Sequence, residues 1–566
     1  MSKTTLDTAV LDSALADLRA GEKAWAATSL PRRRELLLRM HALTGRYATD
    51  WVQAAATIKQ LDENSTLLGE EWMSGPLAVL QGLDALSGTL AALIAGGGPL
   101  DEIVLGTAPG NRVVVPVLPF DRLDKLLLNG FRAEVWLRPG IDAATARQRA
   151  GLAQLDPSST GGIGVVLGAG NVMSISPLDA LYELFAHNRV VALKLNPVTE
   201  PLRAVFEKIF APLIDLGAVR ILTGGAAEGG YLVNHPEVAH VHMTGGAHTH
   251  DAIVWGPGAD GEQRKRTGRP LLEKPITSEL GGVSPTIVLP GAWSAADLRY
   301  QAEHVATSRL HNGGYNCVAV QIVIVSRDWR LKERFLAELR AAMARAPQRV
   351  AYYPGSDGRV ADALASYPSA GRIAGRLLVE KLPFTDTPML RTEYFSPVLG
   401  VLELPCQGKE FLSRAVDFAN DELMGTLGVN LLAHPDTMSE LGTAFESAVE
   451  RLRYGTIAVN AWTGVAFSTA RAAWGAYPGH TLDDIQSGIG VVHNALLIDD
   501  VERTVVHGPF RPAPRSVVSG EFALSPKPPW FVSNKTAAVT GRKIVEFFSG
   551  RRYVRLPGIF LSAFRG

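Results

Sequence analysis

Cysteine is nearly absent. Two residues in 566, Cys317 and Cys406, are too few for a disulfide framework and fit a reducing compartment. An excess of either charge is absent as well. The 56 lysines and arginines balance 56 aspartates and glutamates, so the chain as a whole is not drawn to nucleic acid or to an anionic membrane. No uninterrupted apolar run reaches the ~18 residues that a membrane-spanning helix needs. The N-terminal MSKTTLDTAVLDSALADL carries acidic residues where a secretory leader has a basic end and an apolar core. The expectation is a soluble cytoplasmic protein with no nucleic-acid partner. Hydrophobic residues at 46% and charged residues at 20% suit a globular enzyme. The length exceeds one hydrophobic core, so two or three domains are expected.

From Leu6 to about Leu93, Leu15, Leu18, Trp25, Leu36, Leu37, Leu38 and Met40 recur near helical spacing. LIAGGGPLDE (93–102) breaks that pattern, and RVVVPVLPF and RAEVWLRPG, between Val104 and Leu137, read as strands and hairpins. Alternation then begins. GIGVVLG (162–168), VVALKLN (190–196), VRILTG and VAHVHMTGG (238–246) read as strands. Between the first two lies the helix SPLDALYELFAHN (176–188), with Ser176 as N-cap and Pro177 as its first residue. PLRAVFEKIFAPLIDLG is the next helix. A second block has strands at SPTIVLP (284–290), VAVQIVIV (318–325) and IAVNAW (457–462), with helices at 295–311 and 329–343. This alternation implies parallel sheets with crossover helices and ligands at the carboxyl ends of the strands. From Pro509 to Pro529 the composition predicts an extended arm.

Four residues invite chemistry, each with a plainer reading beside it. Cys317, in HNGGYNCVAV, is a small buried hydrophobe or a nucleophile. Gly313 and Gly314 let the backbone approach something closely, and the helix-to-strand junction suits a reactive thiol. Glu279, in SELGGVSP, is a solvated turn residue or a general base toward water. Asn171, in GAGNVMSISP, is a loop asparagine or an amide donor to an oxyanion. Lys194 ends an apolar strand in LKLNPVTEP and needs a partner there, such as a ligand phosphate or a ribose hydroxyl.

Taken in order, Asn171, Lys194, Thr244-Gly245, Glu279, the thiol segment and TEYFSPVLG (392–400) resemble the aldehyde dehydrogenase superfamily, from about Gly162 to about Gly479. ELGGVSP is similar to the family's Glu-Leu-Gly-Gly-Lys-Ser-Pro, with Val283 for lysine. NGGYNC is similar to Asn-x-Gly-Gln-x-Cys, with Tyr315 for glutamine, and TEYFSPVL to Glu-x-Phe-Gly-Pro-Val, with Ser396 for glycine. The resemblance implies an α/β fold with three parts. These are a Rossmann-like parallel-sheet NAD(P)-binding domain (1–278, including part of a small β oligomerisation element near 110–160), a second α/β catalytic thiol domain (279–492), and a C-terminal oligomerisation arm with an extended tail (493–566).

It further implies NAD(P)-dependent oxidation of an aldehyde to a carboxylic acid, without a metal. Cys317 is then the nucleophile, Asn171 and the Cys317 N–H hold the oxyanion, and Glu279 activates the hydrolytic water. Lys194 and Glu393 hold cofactor ribose, Thr244, Gly245 and Gly246 lie by the pyrophosphate, and Phe395 packs near the nicotinamide. Trp474 lines the substrate tunnel or is a core tryptophan. Gly170 stands where many members have tryptophan, which implies a wider tunnel. Gly246 replaces a serine and His250 a glycine. Pro197 takes the place of the usual ribose-binding glutamate, so acceptance of NADP beside NAD is expected unless Glu200 slips into that role.

Two other readings stand beside this one. An acylating member would pass the acyl group to coenzyme A or run in reverse as an acyl reductase, which Glu279 argues against; a catalytically silent binding protein is opposed by the retention of Cys317 and Glu279. A homodimer or homotetramer is expected. The tail GRKIVEFFSGRRYVRLPGIFLSAFRG (541–566) mixes arginine with apolar residues, and packing on a subunit neighbour is favoured over contact with a membrane.

Overall fold

The computed structural model describes residues 8–385 and 387–566; Leu6 lies outside them. Among the described residues the chain builds two large sheets and a two-stranded one, Trp474–Gly475 with Val491–Val492. The first has six strands in the order Gly488–Ile489, Ile276–Leu280, Val238–Gly245, Ile163–Leu167, Val190–Lys194, Val219–Leu222. All neighbours are parallel except the short Gly488–Ile489 pair. Val165, Val191, Ala192, Leu193 and Val241 are fully buried, as continuous apolar strands covered on both faces should be. The helix after the first of them starts at Ile175, so Ser176 and Pro177 lie inside it, not at its cap and first position. Proline is accepted there because amides of the first turn have no intrahelical partner to lose.

The second sheet has eleven strands. Its order is Gly106–Ala108, Arg112–Leu118, Arg132–Leu137, Val501–His507, Thr456–Val459, Gly428–Leu432, Ser284–Val288, Val320–Ser326, Val398–Leu404, Arg376–Val379, Gly371–Ile373. Val501–His507 pairs parallel with Thr456–Val459 and antiparallel with Arg132–Leu137. The β element near 110–160 thus continues the second sheet of its own chain. Within that region a short helix, Arg122–Leu127, replaces part of the expected hairpin. Asp121 caps it by accepting from the amides of Leu123 and Asp124.

Helices Thr8–Ala26 and Leu30–Ile58 bury Leu15, Leu18, Trp25, Leu36, Leu37 and Met40, as their spacing predicts, while Leu38 is exposed. The helical run Leu68–Ile94 is long and apolar enough to cross a bilayer by length and composition alone, with 61% of that window buried in the protein. Polar interruptions such as Gln81 and Asp84 hide it from a search for uninterrupted apolar residues. It kinks at Gly75-Pro76 through a π turn, Met73–Leu77. A Cβ on Gly75 would stand 3.0 Å from Trp51 Nε1.

The tail corrects an expectation. Helix Ala537–Gly550 lies against Leu68–Trp72 and Leu30–Ile58 of the same chain. Phe547, Phe548 and Ile559 are buried in a cluster with Val52, Trp72 and Leu80, whereas Leu561 and Phe564 stay exposed. The aromatic face read as a subunit or membrane contact therefore packs mostly on its own protein. Glycines allow the close approach: a Cβ on Gly69 would fall 2.5 Å from the Ala537 carbonyl carbon.

Candidate active site

The link between the two sheets is the segment that carries Glu279. Strand Ile276–Leu280 of the first sheet runs through Gly281-Gly282 into strand Ser284–Val288 of the second. Both glycines are needed by packing. A Cβ on Gly281 would lie 2.0 Å from Glu393 Oε1, and one on Gly282 2.9 Å from Gly425 Cα. Glu279 and Glu393 are thereby set on either side of a step too narrow for side chains.

Cys317 follows the helix Ala295–Leu310 and a turn at His311–Gly314. In that turn Asn312, Gly313 and Gly314 have φ of 54°, 70° and 85°, the left-handed region that glycine and asparagine tolerate best. The glycines make room for protein groups: Cβ atoms there would come within 2.8 Å of the Tyr315 ring and 2.9 Å of Arg309 Nη2. Arg309, 1% exposed, pins the turn. It donates to the carbonyls of Gly314 at 2.8 Å, Ala319 and Val320 at 3.3 Å, and Ser396. Burial lowers its pKa to about 10, so it stays cationic at neutral pH.

Asn171 meets the turn that leads to Cys317. Its Nδ2 donates to the Tyr315 carbonyl at 2.8 Å, and Asn312 Nδ2 donates to the Asn171 carbonyl at 2.9 Å. Behind them is a buried charge network. The Asn312 amide donates to Glu70 at 2.9 Å, Arg349 pairs with Glu70 at 2.6 Å, and Lys59 pairs with Glu71 at 2.8 Å. Tyr352 Oη donates to Asn312 Oδ1 at 2.9 Å. The N-terminal helices therefore help to hold the thiol turn, through residues that the sequence does not mark as special.

The Cys317 thiol is hydrogen-bonded to Glu279, and Trp474 Nε1–H donates to Glu279 Oε1 at 2.9 Å. Burial pushes the Glu279 pKa up to about 7 against the opposing pull of the Trp474 bond. Burial, then the nearby charge of Glu279, pushes the Cys317 thiol well above its ordinary range. Trp474 thus makes a contact that sequence reasoning missed: besides bordering the cavity, it holds the Glu279 carboxyl.

Next to Glu279 in the sheet, Thr244 pairs with it in register. The Thr244 hydroxyl is turned inward, donating to Asp179 at 2.9 Å. His493 Nε2 lies 3.0 Å from the same carboxylate and His242 Nε2 3.6 Å. Burial favours the neutral acid there, but bonds from the two histidines prevail and hold Asp179 at about 2.

On the other side of the thiol are the residues expected to meet a cofactor. Lys194 is buried at the end of its strand, where burial lowers its pKa and Glu200 and Glu228 partly oppose that. Gly245 and Gly246 are exposed between strand Val238–Gly245 and helix Ala247–Val254, and a Cβ on Gly246 would meet nothing within 4 Å. His250 is buried in that helix. Pro197 is exposed, and the Glu200 carboxylate accepts from the Gly224 amide at 2.7 Å. Glu393 is pushed up to about 8 by burial, against the pull of Arg309. Phe395, at φ 41°, packs edge-on to Tyr353 at 5.0 Å.

A cavity of about 190 Å³ opens on the substrate side of Cys317 and reaches Trp474. Gly170 is not on its wall, which corrects the expectation of a tunnel widened there. A Cβ on Gly170 would strike the Asn196 side chain at 2.7 Å.

Residues 162–352 match the aldehyde dehydrogenase family. An aldehyde dehydrogenase of Enchytraeus buchholzi is 25% identical over 284 residues, 46% of this chain and 51% of the relative. A D-glyceraldehyde dehydrogenase (NADP(+)) of Picrophilus torridus is 21% identical over 273 residues, 44% and 50%. The chain spans about half the length of these curated relatives. The NADP-dependent glyceraldehyde-3-phosphate dehydrogenase of Bacillus halodurans C-125, solved with NADP, shares the fold at a TM-score of 0.59 and 16% identity, over 89% of this chain and 92% of that one. The gamma-glutamyl-gamma-aminobutyraldehyde dehydrogenase of Burkholderia cenocepacia J2315 does so at 0.59 and 19%, over 88% of each chain.

The likeness to the aldehyde dehydrogenase family thus lies in residues 162–352, and the solved structures extend the shared fold over most of the chain. Two residues that depart from the superfamily's motifs, Tyr315 and Ser396, are joined through Ser356: Tyr315 Oη lies 2.7 Å from Ser356 Oγ, which is 3.3 Å from Ser396 Oγ.

The Trp474–Glu279 bond makes a pH prediction. Alkylation of Cys317 by iodoacetamide should accelerate as pH rises through about 7, where Glu279 becomes a proton acceptor. Trp474→Phe removes a donor that favours the ionised carboxyl, so the midpoint should move to higher pH. An unmoved midpoint would show that Trp474 does not tune the base.

Proposed function

We propose that this protein oxidises an aldehyde to a carboxylic acid through a covalent intermediate on Cys317, with NAD or NADP as cofactor. The hydrogen-bonded pair of Cys317 and Glu279, at the mouth of a cavity and beside Asn171, carries the reading. Glu279 takes the thiol proton, and the sulfur attacks the aldehyde carbon. The oxyanion so formed finds two donors, the Cys317 N–H and the second Nδ2 hydrogen of Asn171, the first being committed to Tyr315. Donors of this kind stabilise such a transition state by about 3–4 kcal/mol each.

The residues around the strand ends suit a nicotinamide dinucleotide: an open glycine step at a helix start, a buried lysine, and Glu393 near the thiol. Such a cofactor, when bound, supplies the hydride acceptor that turns the thiohemiacetal into a thioester. Glu279, after releasing its proton, then draws a proton from water, and the hydroxide displaces the thiolate to give the acid. A base already in contact with the nucleophile supports hydrolysis over transfer to coenzyme A. Relatives and neighbours that carry NADP or NAD+ in their names and titles support the cofactor class.

Glu279→Gln tests the division of labour. If Glu279 serves both steps, the variant should show a slowed burst of reduced cofactor of about one equivalent per site, followed by turnover reduced by roughly 100-fold or more. Full steady-state activity would contradict the assignment.

The cofactor choice has its own test. Pro197 offers no acceptor to a ribose hydroxyl and no repulsion to a 2′-phosphate, and Glu200 is held by Gly224. Both cofactors should therefore be accepted. Pro197→Glu should lower kcat/KM for NADP by about tenfold more than for NAD, the scale of a Coulomb repulsion near a protein surface. Equal effects would show that residue 197 does not face the ribose.

A further inference from the structure

The C-terminal tail does more than cover the N-terminal helices. The cavity that begins at Cys317 is walled at its far side by this tail. Helix Ala537–Gly550 contributes Ile544 and Phe548, helix Leu556–Ala563 contributes Ile559 and Phe560, and Trp530 of the extended arm completes the wall. The facing wall is Leu77, from the kinked helix, with Leu127 and Phe131 of the segment before strand Arg132–Leu137. Trp530 packs edge-on to Phe131 at 5.7 Å, so the two walls touch. Near the thiol the cavity narrows between aromatic groups, with Phe467 edge-on to Trp474 at 5.4 Å.

Charge is the second observation. No lysine or arginine lines the cavity among the described residues. Its one carboxylate among the described residues, Asp124, accepts from the Phe120 amide at 2.9 Å. His311 is engaged by Asn316. A phosphate or carboxylate on the substrate would be stripped of water here and meet no cation, which is strongly unfavourable. An apolar chain would leave water without losing a hydrogen bond.

We infer that the tail, residues 525–563, is the outer wall of the substrate site, and that the substrate is an aldehyde with an uncharged apolar chain running from Cys317 to Phe560 and Ile544. This rests on the catalytic reading above. It adds what that reading leaves open: the class of aldehyde and a task for the tail.

The test uses the full-length enzyme and a straight-chain series from propanal to octanal, with succinic semialdehyde as the charged comparison. Burial of one methylene predicts a rise in kcat/KM of about fourfold per carbon until the cavity is filled. Succinic semialdehyde should fall roughly 100-fold below butanal. Phe560→Trp and Ile544→Phe obstruct the far end from two different helices, and each should reduce the octanal-to-propanal ratio of kcat/KM by about tenfold. A second readout needs no turnover: octanamide, which is unreactive, should protect Cys317 from iodoacetamide, and both variants should weaken that protection.

Aldehyde oxidation with a flat chain-length series, or a ratio unchanged in both variants, would overturn the inference and leave the chemistry standing. Octanamide protection without oxidation of any aldehyde would support the cavity assignment and sink the chemistry. Neither protection nor a chain-length effect would remove the tail from the substrate site altogether.

Discussion

The Cys317 thiol lies against the Glu279 carboxyl, and most of the surrounding structure holds that contact. Either group alone would be poorly suited to its task. Buried, the Cys317 thiol is too weak an acid to ionise unaided, and Glu279, with its pKa near 7, is too weak a base to act on anything it does not touch. In the proposed reaction the carboxyl takes the proton as the sulfur attacks. The contact depends on two backbone segments from different sheets, one through the Gly281-Gly282 step and one through the left-handed turn before Cys317. Arg309 and Trp474 fix each side by hydrogen bonds.

The support extends to the N-terminal helices through charges that are costly to bury. Lys59 and Glu71 are each 1% exposed, and Glu70 and Arg349 are nearly as enclosed. Pairs of this kind add little net stability over apolar replacements. Removing one partner alone, however, typically costs about 3–5 kcal/mol. Their effect here is geometric: Glu70 holds the Asn312 amide and thereby the turn that presents the thiol. The tail takes part in the same way, since it packs on the kinked helix that starts with Leu68, Gly69, Glu70 and Glu71. A single run of packing thus links the last helix of the chain to the nucleophile.

Much of this was legible in the sequence because it depends on local pattern. The apolar strands at 162–168, 190–196, 284–290 and 318–325 were readable from continuous hydrophobicity, and Leu15, Leu18 and Trp25 from helical spacing; all are buried as expected. Asn171, Glu279 and Cys317 stood in motifs and are brought together. What was not legible depends on contacts between distant residues. Nothing in the sequence around Trp474 shows that its indole would reach back 195 residues to Glu279. Gly170 was misread because its neighbour in sequence is a site residue while its neighbour in space is Asn196. The tail was misread because an apolar helix face looks the same whether it is covered by another subunit, a membrane or its own chain.

The most direct test of the account is the mass of the enzyme caught in mid-cycle. Glu279→Gln, mixed with propanal and NAD or NADP and quenched in acid, should carry one added acyl group, and peptide mapping should place it on Cys317. An adduct at any other residue, or a variant that forms reduced cofactor with no covalent intermediate at all, would contradict the central claim.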